Sequence, residues 1–208
     1  MKSPRFLPVL TAALVAVSLV AVLSLPVAQE KAAPTQQEKA ITNDEFLPLF
    51  DGATLAGWEG DPKLWRVEDG AITGETTAES PIAHNTFLKW TDGELDDFEL
   101  VAEYRIFSGN SGFQVRSFAL DKPHAVGGYQ ADIDAAGQWA GTNYGEAFRG
   151  VLAKRGEKTV INEDGKPEIT GSLGDPAELA KVIKKDDWNT YRIVAQGHKI
   201  VCEINGTV

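Results

Sequence analysis

The chain has 208 residues, which suits one domain with appendages. Its hydrophobic fraction of 43% supports a real core, while 20 Gly and 10 Pro spread along it favour turn-rich β structure over a helical bundle. A formal charge of −10 makes the surface repel phosphate backbones, so nucleic acid is not an expected partner.

Lys2 and Arg5 precede a run from Phe6 to Ala28 that is apolar apart from Thr11, Ser18, Ser24 and two prolines. Basic residues followed by an apolar run mark an export signal, residues 1–28, with Ala28 as the small residue near its end. The run is also long enough for an uncleaved membrane anchor. No Cys follows it, which argues against a bacterial lipoprotein anchor. The expectation is an exported protein, periplasmic or extracellular, that meets a membrane only through this segment. Residues 29–43 are polar and low in complexity and read as a linker, leaving 44–208 as the domain. Cys202 is the sole cysteine, so the domain has no internal disulfide and must rely on its core.

Phe46 to Gly52 reads as a short strand and turn. Leu64 to Thr73 reads as a hairpin, with Asp69-Gly70 as a type I′ turn. Phe98 to Phe107 alternates cleanly: Phe98, Leu100, Ala102, Tyr104 and Ile106 lie on one face, Glu99, Val101, Glu103, Arg105 and Phe107 on the other. Gly112–Phe118, Gly127–Asp134 and Arg149–Lys154 follow at the spacing of a sandwich. Asp175-Pro176 with Glu178 announces one short helix, with Leu179, Val182 and Ile183 on its apolar side. Asn189 to Val208 reads as two strands about Gln196-Gly197 and a second turn at Asn205-Gly206. That second turn should lead into another strand. The domain is therefore expected to lack C-terminal strands, or to receive one from a partner.

The stretch FSGNSGFQVRS (Phe107 to Ser117) reads as a hairpin with a four-residue loop, Ser108 to Ser111. In that register Arg105 opposes Gln114 and Glu103 opposes Arg116. A solvated face with ion pairs would explain these residues. So would a ligand face, because amide and guanidinium groups are good donors to sugar hydroxyls. Gln130, Asp132 and Asp134 alternate on the following strand and share a face, as a water-facing edge or as a base, sugar clamp or cation site. Trp139 and Tyr144 follow in a Gly-rich stretch, where aromatics can stack on a pyranose ring or cap the core. Glu94 to Glu99 fits the E-x-D-x-x-E pattern of two-carboxylate β-glucanases, although Glu94 falls in a turn and out of phase with Glu99. His84, His124 and His198 have no metal-ligand spacing. No cofactor-binding fingerprint is identified.

Taken together, FLPLFDGATLAGW, WRVEDGAITGE, DFELVAEYRIFSGNSGFQVRS, GYQADID, RGVLAKRG and DWNTYRIVAQGHKIVCEING resemble the 3-keto-disaccharide hydrolase domain family, over about Phe46 to Val208. The resemblance implies an all-β, concanavalin A-like β-sandwich (jelly roll) that is usually exported and acts on glycosides oxidised at C3. It marks Asn110, Ser111, Gln114 and Arg116 as hallmark positions and aligns the Gln130–Asp134 strand with another. The family pattern continues past the Asn-Gly turn with a His-Gly-Pro-Pro-like segment that this sequence does not contain.

The implied chemistry needs a base for the C2 proton, a group to hold the enolate oxygen and an acid for the leaving group. Asp132 or Glu103 is the expected base and Arg116 the enolate stabiliser. Asn110, Ser111, Gln114, Gln130, Trp139 and Tyr144 are expected to bind the sugar. A divalent cation could replace Arg116, and its ligands are unknown. Two other readings stay open: a non-catalytic carbohydrate-binding module, and a two-carboxylate glucanase using Glu94 and Glu99.

Overall fold

The structure, a computed structural model, describes residues 13–22 and 46–208. The expected linker, 29–43, and residues 1–12 and 23–28 of the expected export segment lie outside the described residues. In chain order the first strands are β1 (Ala13–Val22), β2 (Trp58–Glu59), β3 (Trp65–Glu68), β4 (Ala71–Thr76) and β5 (Lys89–Trp90). The middle of the chain forms β6 (Phe98–Ile106), β7 (Asn110–Ala119), β8 (Val126–Asp134), β9 (Asn143–Glu146) and β10 (Gly150–Ala153). The last part forms β11 (Glu157–Ile161), β12 (Pro167–Ser172), the helix α1 (Pro176–Leu179), β13 (Asn189–Gln196) and β14 (Lys199–Ile204).

Two antiparallel sheets make a sandwich. One has the order β14–β13–β6–β1–β4–β3, the other β10–β9–β8–β7. β1 lies between β6 and β4, pairing antiparallel with both. Alternation explains how the layers meet. The even residues of β6 and the odd residues of β13 turn inward, so Ala102, Tyr104, Tyr191 and Ile193 are almost fully buried. From the other sheet come Phe113, Val115, Ala131 and Ile133. Phe113 meets Tyr104 and Tyr191 edge to face, with ring centroids 6.3 and 5.6 Å apart. Burial pushes the Cys202 thiol up to about 11, so this cysteine is a core residue rather than a nucleophile.

The Asp69-Gly70 turn has the expected geometry, with φ of 50° and 76°. The helix starts where expected: Asp175 Oδ1 accepts the Ala177 amide at 2.7 Å. It is one turn long and tightens into a 3₁₀ turn over Ala180–Val182. Over Phe46 to Gly52 the expected strand is reduced to a single bridge residue, Leu47. There the Asp51 carboxylate binds the Ala53 and Thr54 amides and the Thr54 hydroxyl, which fixes a turn and holds its acid down at about 2. After Asn205-Gly206 the chain folds back to a single bridge between Ile204 and Thr207.

One expectation needs correction. β6 and β7 are not a hairpin; they belong to different sheets, and residues 107–109 carry the chain across the sandwich. Gly109 takes a φ of 75° in this crossing, and its carbonyl accepts the Ala135 amide. Tyr104 and Phe113 do lie on apolar faces, but those faces oppose one another across the core instead of sharing one sheet. The pairs Arg105–Gln114 and Glu103–Arg116 therefore do not exist.

Candidate functional site on the four-stranded sheet

The outward face of the four-stranded sheet gathers the polar residues. The register pairs Asn110 with Asp134, Gly112 with Asp132 and Gln114 with Gln130, and directly paired residues share a face. On the far side of β8, Gln130 pairs with Tyr144 and Gly128 with Glu146. Asn110, Gln114, Gln130, Asp132, Asp134, Tyr144 and Glu146 thus alternate with core residues and point away from the core.

Two glycines make this face flat. A Cβ at Gly112 would stand 2.6 Å from Gln130 Cγ, and one at Gly128 would stand 3.0 Å from Gln114 Nε2. Each glutamine lies across a glycine of the neighbouring strand, and no side chain can replace either glycine without moving one. Gln130 Nε2 donates to Asp132 Oδ1 at 2.6 Å. Among the described residues, neither polar atom of the buried Gln114 amide has a partner. A buried amide with both its donor and its acceptor unused is costly in a closed core and is what a ligand-binding floor would carry.

Asp132 is 6% exposed. Burial is the main cause that pushes its acid from 3.8 up to about 6; the Gln130 bond opposes the rise, and the charges of Asp134 and Glu146 add to it. Asp134, two residues on, has a structural task. Its carboxylate accepts the Gln138, Trp139 and Ala140 amides and so holds the loop after β8. Arg155 fastens the same loop through the Gly137 and Ala140 carbonyls. Trp139 is 38% exposed on this loop.

A cleft of about 1000 Å³ runs along the free edge of β7, between it and the 77–95 segment. Trp65, Trp90, Phe98 and Phe113 line it, and Gln114 and Gln130 join it to the polar face.

Three expected site residues lie elsewhere. Glu103 is exposed on the outer face of the six-stranded sheet, the opposite side of the sandwich from Asp132. Arg116 sits at the register break of β7 with a φ of 47°. The bulge aims its guanidinium at the Asp96 carbonyl (2.8 and 3.0 Å), Asp97 Oδ1 (3.1 Å) and the Gly197 carbonyl (2.6 Å). Arg116 is therefore tied to the loop before β6 and to the β13–β14 turn, beside Glu103 in neither sheet nor face. Ser111 pairs with Ile133 and so takes the inward-facing phase of β7. Glu94 and Glu99 do not converge as a catalytic pair. Glu94 is exposed in a loop, while Glu99 binds Arg192 Nε at 2.6 Å on the outer face of the larger sheet.

Glu146 and Asn85 escaped the sequence reading. Asn85 Nδ2 donates to Glu146 Oε1 at 3.3 Å, which ties the 77–88 segment to the polar face. The alternation in Asn143-Tyr-Gly-Glu146 carried the signal for Glu146; nothing in the sequence marked Asn85. Among the described residues, no three His, Cys, Asp or Glu side chains are grouped so as to hold a metal ion.

A family model for the 3-keto-alpha-glucoside-1,2-lyase-like domain matches residues 45–208. The chain belongs to this family. Membership makes it a carbohydrate-active protein and agrees with the all-β sandwich of the structure. No curated protein sequence matches the chain.

Proposed function

We propose that the chain cleaves the glycosidic bond of C3-oxidised glycosides on the outward face of the four-stranded sheet, with Asp132 as the base. A ketone at C3 acidifies the hydrogen at C2. Asp132 takes that proton, the C–H electrons become the C2–C3 double bond of an enolate, and the enolate then expels the oxygen at C1 with the aglycone. One observation carries this reading: a buried carboxyl group, its acid pushed up to about 6, shares a sheet face with the Gln114 amide, whose donor and acceptor atoms have no partner among the described residues. A base poised near neutrality transfers protons efficiently.

Gln114 takes the part expected of Arg116. Its N–H group donates to the enolate oxygen, where a preorganised donor is most effective. Gln130 orients Asp132, and Asn110 and Trp139 border the sugar. The export reading of residues 1–28 belongs to the same proposal and puts the domain in the periplasm or outside the cell.

The test is to incubate the full chain with a 3-keto-glucoside and follow release of the aglycone. Release supports the reading. Binding of the glycoside without release means a carbohydrate-binding module, and release from an unoxidised β-glucan instead means a glucanase.

A further inference from the structure

Elimination leaves one requirement that Asp132 does not meet while it holds the C2 proton: the departing oxygen needs a proton of its own. We propose, on the basis of the reading just given, that Tyr144 is the proton donor to the leaving group. Tyr144 stands directly across from Gln130 on β9, so Asp132 is its diagonal neighbour. Diagonal partners across antiparallel strands are about 7–8 Å apart at Cα, within reach of an aromatic side chain.

The heights differ in the required sense. Gln130 and Asp132 are buried, 8% and 6% exposed, and form the floor. Tyr144 is only partly buried, on the same face as Gln130, and among the described residues its hydroxyl has no hydrogen-bond partner, so the phenol is placed to border that floor. On its other side it pairs with Val151 of β10, which leaves the floor side as the polar one. A sugar ring on the two glutamines would present C2 downward to Asp132 and its C1 oxygen sideways to Tyr144.

The step balances. As the C1–O bond breaks, its electron pair stays on the aglycone oxygen, and the phenol O–H gives that oxygen its proton. The phenolate is then reprotonated from solvent, and Asp132 returns its proton to solvent, so the enzyme is restored. The main competitor is Asp132 itself, which could pass the C2 proton to the leaving oxygen with no second acid.

Leaving-group dependence separates the two. Wild-type chain and Tyr144→Phe would be compared on 4-nitrophenyl and methyl 3-keto-glucosides. A nitrophenolate departs without a proton, whereas methoxide does not. Tyr144→Phe should lose roughly 100-fold in kcat on the methyl glycoside and less than about 5-fold on the nitrophenyl one. Tyr144→His, which keeps a donor, should recover part of the loss on the methyl glycoside. Equal losses on both substrates by a Tyr144→Phe chain with the wild-type unfolding midpoint would overturn the proposal, as would a wild-type rate on the methyl glycoside. A wild-type chain inactive on both substrates would instead overturn the functional reading on which the proposal rests.

Discussion

Gln130 Nε2 reaches Asp132 Oδ1 at 2.6 Å across the floor of the polar face, and among the described residues it is the only side chain that hydrogen-bonds this buried carboxyl group. One hydrogen bond does not offset the burial, so the acid rises from 3.8 to about 6. The base works ionised, so kcat/KM for a 3-keto-glucoside should fall as pH drops below about 6. The same shift has a stability cost of definite sign. The folded chain holds this proton more tightly than the unfolded chain, so stability from the group is full below about pH 4 and is lost as pH rises through about 6. Asp132→Asn should therefore stabilise the fold by about 1–2 kcal/mol near pH 7.5, allowing for partial solvation, and have little effect near pH 4. Denaturant unfolding at the two pH values checks this.

Gly112 supports Gln130 by having no side chain. In Gly112→Ala the new methyl would stand 2.6 Å from Gln130 Cγ and 2.8 Å from the Ala131 carbonyl. We expect about 1–3 kcal/mol of destabilisation and a fall in kcat, because the glutamine must lift off the floor and release Asp132. A variant that loses stability but keeps wild-type kcat would show that the position of Gln130 does not matter to turnover.

Arg116 and Glu103 should behave as structural and neutral positions. Arg116→Ala removes the tie among the Asp96 carbonyl, Asp97 and Gly197 and should cost about 2 kcal/mol, with kcat of the folded fraction within a few-fold of wild type. Glu103→Gln, on the far side of the sandwich, should leave kcat and KM unchanged. A large kcat loss in either variant at full folding would move the site away from the outward face of β7–β9.

β1 pairs through eight residues with β6 and five with β4, and these two strands have no pairing with each other. A chain starting at residue 29 lacks those bonds. Its β4 amides should exchange with solvent markedly faster than in the full chain, as measured by hydrogen exchange. Equal protection would mean that β1 does not hold the larger sheet together. The same ten residues cannot be both a discarded leader and a permanent strand, so sequencing the N-terminus of exported protein bears directly on residues 1–28.

Much of the fold was legible because alternation assigns faces. Tyr104 and Ile106 on one strand, Phe113 and Val115 on the next, and Ala131 and Ile133 on a third all turn inward as their phase requires. Phase does not say which strand is the neighbour. The apolar faces of β6 and β7 satisfy a hairpin and a crossing between sheets equally well, and the choice lies in long-range packing of Phe113 against Tyr191. This is why alternation groups Glu103 and Arg116 with Gln114, whereas the fold puts Glu103 on the other sheet and turns Arg116 away at the bulge. The bulge at Arg116 and the reach of Asn85 to Glu146 depend on backbone positions that no periodicity encodes. By contrast, alternation alone puts Gln130 and Asp132 on one face, while the pairing of β7 with β8 that brings Gln114 to them is a long-range contact that alternation does not encode.

The measurement that tests the account most directly is aglycone release from 4-nitrophenyl 3-keto-glucoside by wild-type chain and by Asp132→Asn at about pH 7. The account predicts release by the wild type and a rate at least about 100-fold lower for the variant, which should be folded and no less stable. Release by Asp132→Asn at the wild-type rate would contradict it.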